Sequence, residues 1–296
     1  MNDKPLNFLV SFCNNKKNIK KSSGIGILGL INFDGRGLKY KELELDLQGC
    51  QGVNGATGIG KCDKYYYVVL QANISKLLIL DHSFSTVSIC ELDNLKGVHS
   101  LCYLNGDLYI VVTKQDKVVK YDFRGNFETV FDLKTDLDTL HLNSICFHKG
   151  SLLVSGFGKN DKDFWMYANN GYVFDVATNK VIMSGLRQPH SLFSYKDDIF
   201  LCDSSRKNII NSKKQIIICN EKGYTRGLFI KDGFIIFGIS KGRETSISKA
   251  KYIGNISDEG ILAGECSINV RTKSKNYSFS LKGFSDEIYD ILQIKK

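Results

Sequence analysis

Proline is scarce, two residues in 296, so turns must come from the 27 glycines. No apolar run reaches the length of a membrane-spanning helix, and no span is expected. The stretch from Met1 to Ser11 lacks a basic region followed by a long apolar core, so no signal peptide is expected either. Cysteine is present but never paired: the nine residues are odd in number, widely spaced and form no CxxC or zinc-type pattern. Most lie inside apolar runs, as small buried hydrophobes would, which points to a reducing compartment and a cytoplasmic chain. No arginine-rich segment interleaved with aromatics occurs. The formal charge of +9, with a local run at Lys16, Lys17, Lys20 and Lys21, therefore reads as a solvated lysine surface and argues against nucleic acid as a partner.

Strand-forming residues are abundant. There are 18 Phe and 14 Tyr, and Ile, Val, Phe and Tyr dominate the apolar runs. At 43% hydrophobic the chain can fill a core, and its length suits one all-β domain over 1–296. Short strands alternate with turn signals. Asn105-Gly106 between Leu101-Cys102-Tyr103 and Leu108-Tyr109-Ile110 is a strong hairpin signal. The glycine-rich segment 52–60 approaches a phosphate-loop spacing at Gly55 and Gly60-Lys61. Cys62, however, fills the Ser/Thr slot and a strand follows, so a turn entering a strand is expected.

One unit recurs. His99-Ser100-Leu101-Cys102, Asn143-Ser144-Ile145-Cys146, His190-Ser191-Leu192-Phe193 and Arg226-Gly227-Leu228-Phe229 align without gaps. They lie about 40 residues apart, the length of a four-stranded propeller blade. Each copy reads as strand, hairpin, strand and two outer strands. The run Glu287 to Ile294 has no second strand after it, and Phe8 to Phe12 has no first strand before it. Pairing them completes a blade and removes two edges. The second-strand series is then Phe8, Tyr66, Leu108, Leu152, Ile199 and Ile235. The expected fold is an all-β, six-bladed β-propeller closed by pairing of the N- and C-terminal strands.

The aligned residue starts the innermost strand, near one mouth of the central channel. The expected ring is His99, Asn143, His190 and Arg226, with Asp286 or Glu287 in the closing blade and a residue near Thr57 in the remaining one. Three chemistries suit it. His99, His190, Asn143 and Glu287 could hold a divalent metal ion. Arg226 with the imidazoles could bind a carboxylate, sulfate or phosphate group. His99 or His190 could act as a general base with Arg226 as electrostatic stabiliser, making these three the candidate catalytic residues. His141, Asn143, Arg226, Asp286 and Trp165 are candidate ligand contacts, with Trp165 and Tyr167 available to stack on a sugar. Asp138 precedes His141 as an extra polar partner. His148 is expected in an exposed hairpin turn, and His82 has no assigned role.

The motifs His141-Leu142-Asn143-Ser144-Ile145, Gln188-Pro189-His190-Ser191, Tyr224-Thr225-Arg226-Gly227-Leu228 and Glu287-Ile288-Tyr289-Asp290-Ile291 resemble an uncharacterised bacterial family of propeller-like proteins. That resemblance implies a fold and no established reaction. More distantly, the chain is similar to the gluconolactonase and paraoxonase class of six-bladed propellers and to NHL-repeat proteins. The former hold calcium through carboxylates and asparagines, a pattern from which His99, His190 and Arg226 depart. A metal-dependent lyase similar to the streptogramin-lyase propellers accommodates the histidines better, without a transferable motif. Two functions follow as expectations. One is binding of an anionic or carbohydrate-like small molecule at the channel, with metal-assisted or acid–base lyase or hydrolase chemistry. The other is a noncatalytic scaffold presenting a propeller face to a protein or glycan.

Overall fold

The computed structural model describes residues 5–15, 24–134, 138–159, 165, 168–243 and 263–294. The lysine run at 16–21 and Tyr167 lie outside the described residues. The architecture is an all-β six-bladed propeller, each blade a four-stranded sheet. The closing blade joins β1 (Leu6–Phe12), β2 (Leu28–Phe33) and β3 (Leu38–Glu42) to β24 (Ile288–Ile294), which takes the first place beside β1. The next two blades are β4 (Gly55–Lys61) to β7 (Thr86–Glu91), and β8 (Val98–Leu104) to β11 (Phe127–Asp132). Then come β12 (Leu142–His148) to β15 (Lys180–Leu186), and β16 (Pro189–Tyr195) to β19 (Ile216–Cys219). The sixth runs from β20 (Tyr224–Lys231) and β21 (Phe234–Ser240) to β22 (Ser267–Arg271) and β23 (Asn276–Ser280). Every member of the expected second-strand series lies in its second strand, and β24 pairs antiparallel with β1 from Asn7↔Ile294 to Phe12↔Ile288.

The local causes are visible in the chain. Asn105 and Gly106 both have positive φ, as a two-residue hairpin of matching twist requires. The segment that approached a phosphate loop is β4 itself, paired with β5 (Tyr66–Gln71), so it is no loop ahead of a helix. Leu43, Leu45 and Leu47 alternate with Glu44 and Asp46 as strand residues do, but β3 ends at Glu42. All three are nevertheless buried, because an extended segment can present alternate residues to a core without a ladder.

The chain divides into two compact units. One takes the chain up to Asp93, Arg226–Ser240 and the chain from Glu265; the other is built on Asn94–Thr225. In each, the apolar clusters lie between adjacent blades, where strands apolar on both faces must find their partners. Leu9, Leu28, Ala56, Tyr66 and Val68 join two blades of the first unit, and Phe8, Val10, Ile236, Ile268 and Ile291 join another two. In the second unit Val111, Val118, Leu142 and Val154 form one such cluster, and Leu153, Val173, Leu192 and Leu201 another. The nine cysteines are all free thiols. Only Cys13, Cys146, Cys202 and Cys266 are buried and Cys219 is exposed, so burial in apolar runs describes fewer of them than expected. Burial pushes the Cys102 thiol up to about 11 and raises Cys146 and Cys266 as well, so these three stay protonated at neutral pH.

Hydroxyls stitch neighbouring blades together. At the end of a second strand or just beyond it, a Ser or Thr donates to a carbonyl at the start of the next blade's first strand. Ser11 Oγ donates to Thr57 O, Thr113 Oγ1 to Leu142 O, Ser204 Oγ to Thr225 O and Ser240 Oγ to Ile288 O. Ser240 Oγ also accepts the Ile288 N–H at 3.0 Å. Removing this buried hydroxyl strands two backbone groups. Ser240→Ala is expected to destabilise the protein by about 2–3 kcal/mol, measured by urea unfolding. The exposed Ser274→Ala should stay within about 0.5 kcal/mol of the parent.

Candidate functional site

A register shift near the start of the first strand positions the site residues. In β8 it falls between Val98 and Leu101, in β12 between Leu142 and Ile145, and in β16 between His190 and Phe193. Val98, Leu142 and Pro189 hold the same place against their second strands, opposite Val112, Gly156 and Asp203. His99, Asn143 and His190 therefore follow at one shared position, as expected. Ala56 and Ile288 hold that place in β4 and β24, so the ring residues there are Thr57 and Tyr289. Glu287 was expected in the ring and lies two residues too early. The alignment missed this because Asp290 stands where Ser100 and Ser144 stand elsewhere. Matching Ile291 to Leu101 and Ile145 was the signal that would have found it.

The second unit gathers the histidines with aromatic rings. His99 and His141 meet edge to face with centroids 5.2 Å apart. His141 lies against Phe157 at 4.5 Å and stacks on Trp165 at 5.1 Å. Phe157 continues to His190 at 5.1 Å, and His190 to Tyr224 at 5.3 Å. Trp165 thus packs on a histidine. Phe157, Tyr224 and Gln188 had no role assigned from sequence. Gln188 Oε1 accepts from the hydroxyls of Ser205 and Tyr224 at 2.8 and 2.6 Å.

Hydrogen bonding sets each ring's tautomer. His141 Nδ1 lies 2.9 and 3.0 Å from the Asp138 carboxylate oxygens, which can only accept, so Nδ1 carries the proton and Nε2 the lone pair. His190 Nδ1 faces Gln188 O at 2.9 Å and must donate to it; Ser204 Oγ is 3.0 Å away on the same side. Neutral His190 thus also carries its lone pair on Nε2. His99 is the opposite. Its Nδ1 accepts from Asn143 Nδ2 at 3.3 Å, so the neutral ring has its proton on Nε2. His141 and Asn143 are buried and Asp138 is half-buried. His148, expected in an exposed turn, is half-buried at the end of β12 with Nδ1 2.9 Å from Ser194 Oγ. His82 lies against the Tyr66 ring.

In the first unit Arg226 is committed elsewhere. Its guanidinium Nη1 donates to Glu287 Oε2 at 3.1 Å and to Cys13 Sγ at 3.3 Å, and it lies over the Tyr289 ring. Asn14 Nδ2 donates to the same Glu287 oxygen. Arg226 was expected to present its charge to a ligand anion, and it meets that charge with Glu287 instead. Asp286 is exposed ahead of β24. Among the described residues no group of three or more His, Cys, Asp or Glu side chains is placed to hold a metal ion. In the expected metal set His99 spends Nδ1 on Asn143, and Glu287 is paired with Arg226.

A model of the domain of unknown function DUF4915 matches residues 65–296. The chain belongs to the DUF4915 family. No curated protein matches. Among solved structures this DUF4915 chain is similar to one in a nidogen/laminin complex, at 12% identity and a TM-score of 0.63, covering 96% of this chain and 97% of that one. It is similar to a protein of Bacteroides fragilis NCTC 9343 named as a 6-phosphogluconolactonase, at 12% identity and a TM-score of 0.55, covering 99% of each. A streptogramin B lyase follows at 15% identity and a TM-score of 0.50, covering 93% and 88%. At such identities the likeness is one of fold, shared with lyase and hydrolase enzymes. Among the described residues no helix is long and apolar enough to cross a membrane.

The Arg226–Glu287 pair in this DUF4915 chain gives a test independent of any ligand. Both side chains are nearly buried, 11% and 9% exposed. Removing one leaves the other charge uncompensated. Arg226→Met should cost about 3–5 kcal/mol in denaturant unfolding. Arg226→Met with Glu287→Met should recover most of that loss.

Proposed function

We propose that this chain binds a small anionic or carbohydrate-like molecule at the His99, Asn143 and His141 cluster and performs acid–base chemistry on it. The observation that carries this reading is the pairing of opposite tautomers. His141, oriented by Asp138, offers a lone pair at Nε2 and suits a general base. His99, whose Nδ1 accepts from Asn143, carries its neutral-state proton on Nε2 and suits a general acid or a donor to a developing oxyanion. Eliminations and ring-opening hydrolyses need both. Asp138 is a positioning residue for His141. Trp165 and Phe157 supply apolar faces beside the polar groups, an arrangement suited to sugar rings. With Arg226 held by Glu287, an anionic group is met by His99 Nε2–H and Asn143. A divalent metal ion entering with the ligand is the other route to the same chemistry. Nine cysteines, none of them in a disulfide, support a cytoplasmic setting.

A noncatalytic scaffold is the second reading. Its support is apolar exposure on fourth strands of the blades: Ile216 is 59% exposed on β19, and Val181 and Ile182 are 49% and 46% exposed on β15.

A ligand-observed NMR screen of hexoses, sugar acids, sugar phosphates and lactones distinguishes the two. One of these classes is expected to bind, with affinity falling about tenfold or more in His141→Gln, the loss of one charge-assisted contact. Turnover of that ligand should be bell-shaped in pH and lose its basic requirement in Asp138→Asn. Binding by none of the classes, or unaltered binding in His141→Gln, sinks the site. Loss of turnover on chelation would assign the chemistry to the metal route.

A further inference from the structure

In β4, β8, β12 and β16 the residue after the ring position lies in the first-strand irregularity and is Gly58, Ser100, Ser144 or Ser191; Gly227 follows Arg226 in β20. In the closing blade the residue after Tyr289 is Asp290. Ser144 shows what the position does: its Oγ accepts the N–H of Leu192 at 3.1 Å, in the first strand of the next blade. Asp290 makes the same bond with a carboxylate. Its Oδ2 accepts the N–H of Ile59 at 3.2 Å, and Ile59 holds in β4 the place of Leu192 in β16. Oδ1 accepts the N–H of Ile291 at 2.9 Å. The Asp290 N–H donates to Ser11 Oγ at 3.1 Å, and that hydroxyl donates to Thr57 O. One titratable group therefore stands where a hydroxyl or a glycine serves in every other blade.

We propose that Asp290 is a proton-operated latch between the closing blade and the β4–β7 blade, both parts of the first unit. The surroundings offer its charged form two N–H groups and little else. No residue of β1 or β21 is charged. On β4 the cation is Lys61, whose ammonium donates to Gln293 O. On the approach to β24, Asp286 is exposed and Glu287 is paired with Arg226. Asp290 is half-buried, and loss of solvent around its carboxyl pushes it up to about 7, against the opposing pull of the Ile59 and Ile291 amides. A folded-state value above the unfolded one means that the native protein holds this proton more tightly. The contribution to stability is complete below the ordinary carboxylate range and is lost as pH rises towards 7. The junction is latched on the acid side of neutrality and loosened on the alkaline side.

Urea unfolding at pH 5.5 and 8.0 tests this on the full chain, comparing the parent with Asp290→Ser, which installs the group used at Ser144. Between these pH values the unfolding constant of the parent should rise about thirtyfold more than that of Asp290→Ser. Protection of the Ile59 amide, corrected for intrinsic exchange, should fall over the same interval in the parent alone. Equal pH dependence in the two proteins overturns the proposal. If Asp290→Ser does not fold, carbon-13 titration of the parent decides the matter. An Asp290 carboxyl titrating near neutrality supports the latch, and one titrating in the ordinary range near 4 removes it.

Discussion

Pairing of β24 with β1 is the contact on which the first unit depends. A lone four-stranded sheet with two apolar faces cannot be stable, and an unpaired first strand would leave a row of open N–H and C=O groups. Seating β24 beside β1 gives the closing blade its fourth strand. It also delivers Glu287 to Arg226, Ile288 to the Ser240 hydroxyl and Asp290 to the Ile59 amide. Each of these bonds reaches from the C-terminal strand to a distant part of the chain. The final run of residues thus carries much of the polar chemistry of its unit.

The first-strand irregularity is the second organising feature. It sets His99, Asn143 and His190 at one shared position in their blades, beside backbone groups that hydroxyls hold. Those hydroxyls then act on the site. Ser204 holds the Thr225 carbonyl and sits beside His190 Nδ1. Thr113 fixes the Leu142 carbonyl immediately before Asn143, which in turn orients His99. Blade-to-blade stitching and histidine tautomer are therefore set by the same short segments. A scaffold that must place polar groups reproducibly gains from tying them to its packing.

Membership of the DUF4915 family, and likeness in fold to propellers as different as one in a nidogen/laminin complex and a streptogramin B lyase, give an architecture shared by unlike proteins. What distinguishes this chain is local. His99, His141 and His190 are drawn into an aromatic cluster, and Arg226 is neutralised by Glu287. Function is to be sought in that cluster, since fold alone does not determine chemistry.

Six blades, the second strand of each and the closing pair were legible in the amino-acid order. Repeat spacing, hairpin turns and the strandless ends are local or periodic signals. His99, Asn143 and His190 were legible as equivalent for the same reason. Tyr289 in place of Glu287 was not, because a register shift changes which residue occupies a place without changing the apolar pattern that reports it. Nor were the proton positions, the Arg226–Glu287 pair or the amide partners of Asp290. Those depend on which acceptor lies within about 3 Å, on residues as distant in the chain as Cys13 and Glu287. The sequence by itself determined a closed set of repeats carrying polar residues at matched positions. Only the tertiary structure decided which of them meet, because charge, tautomer and burial are properties of neighbours in space.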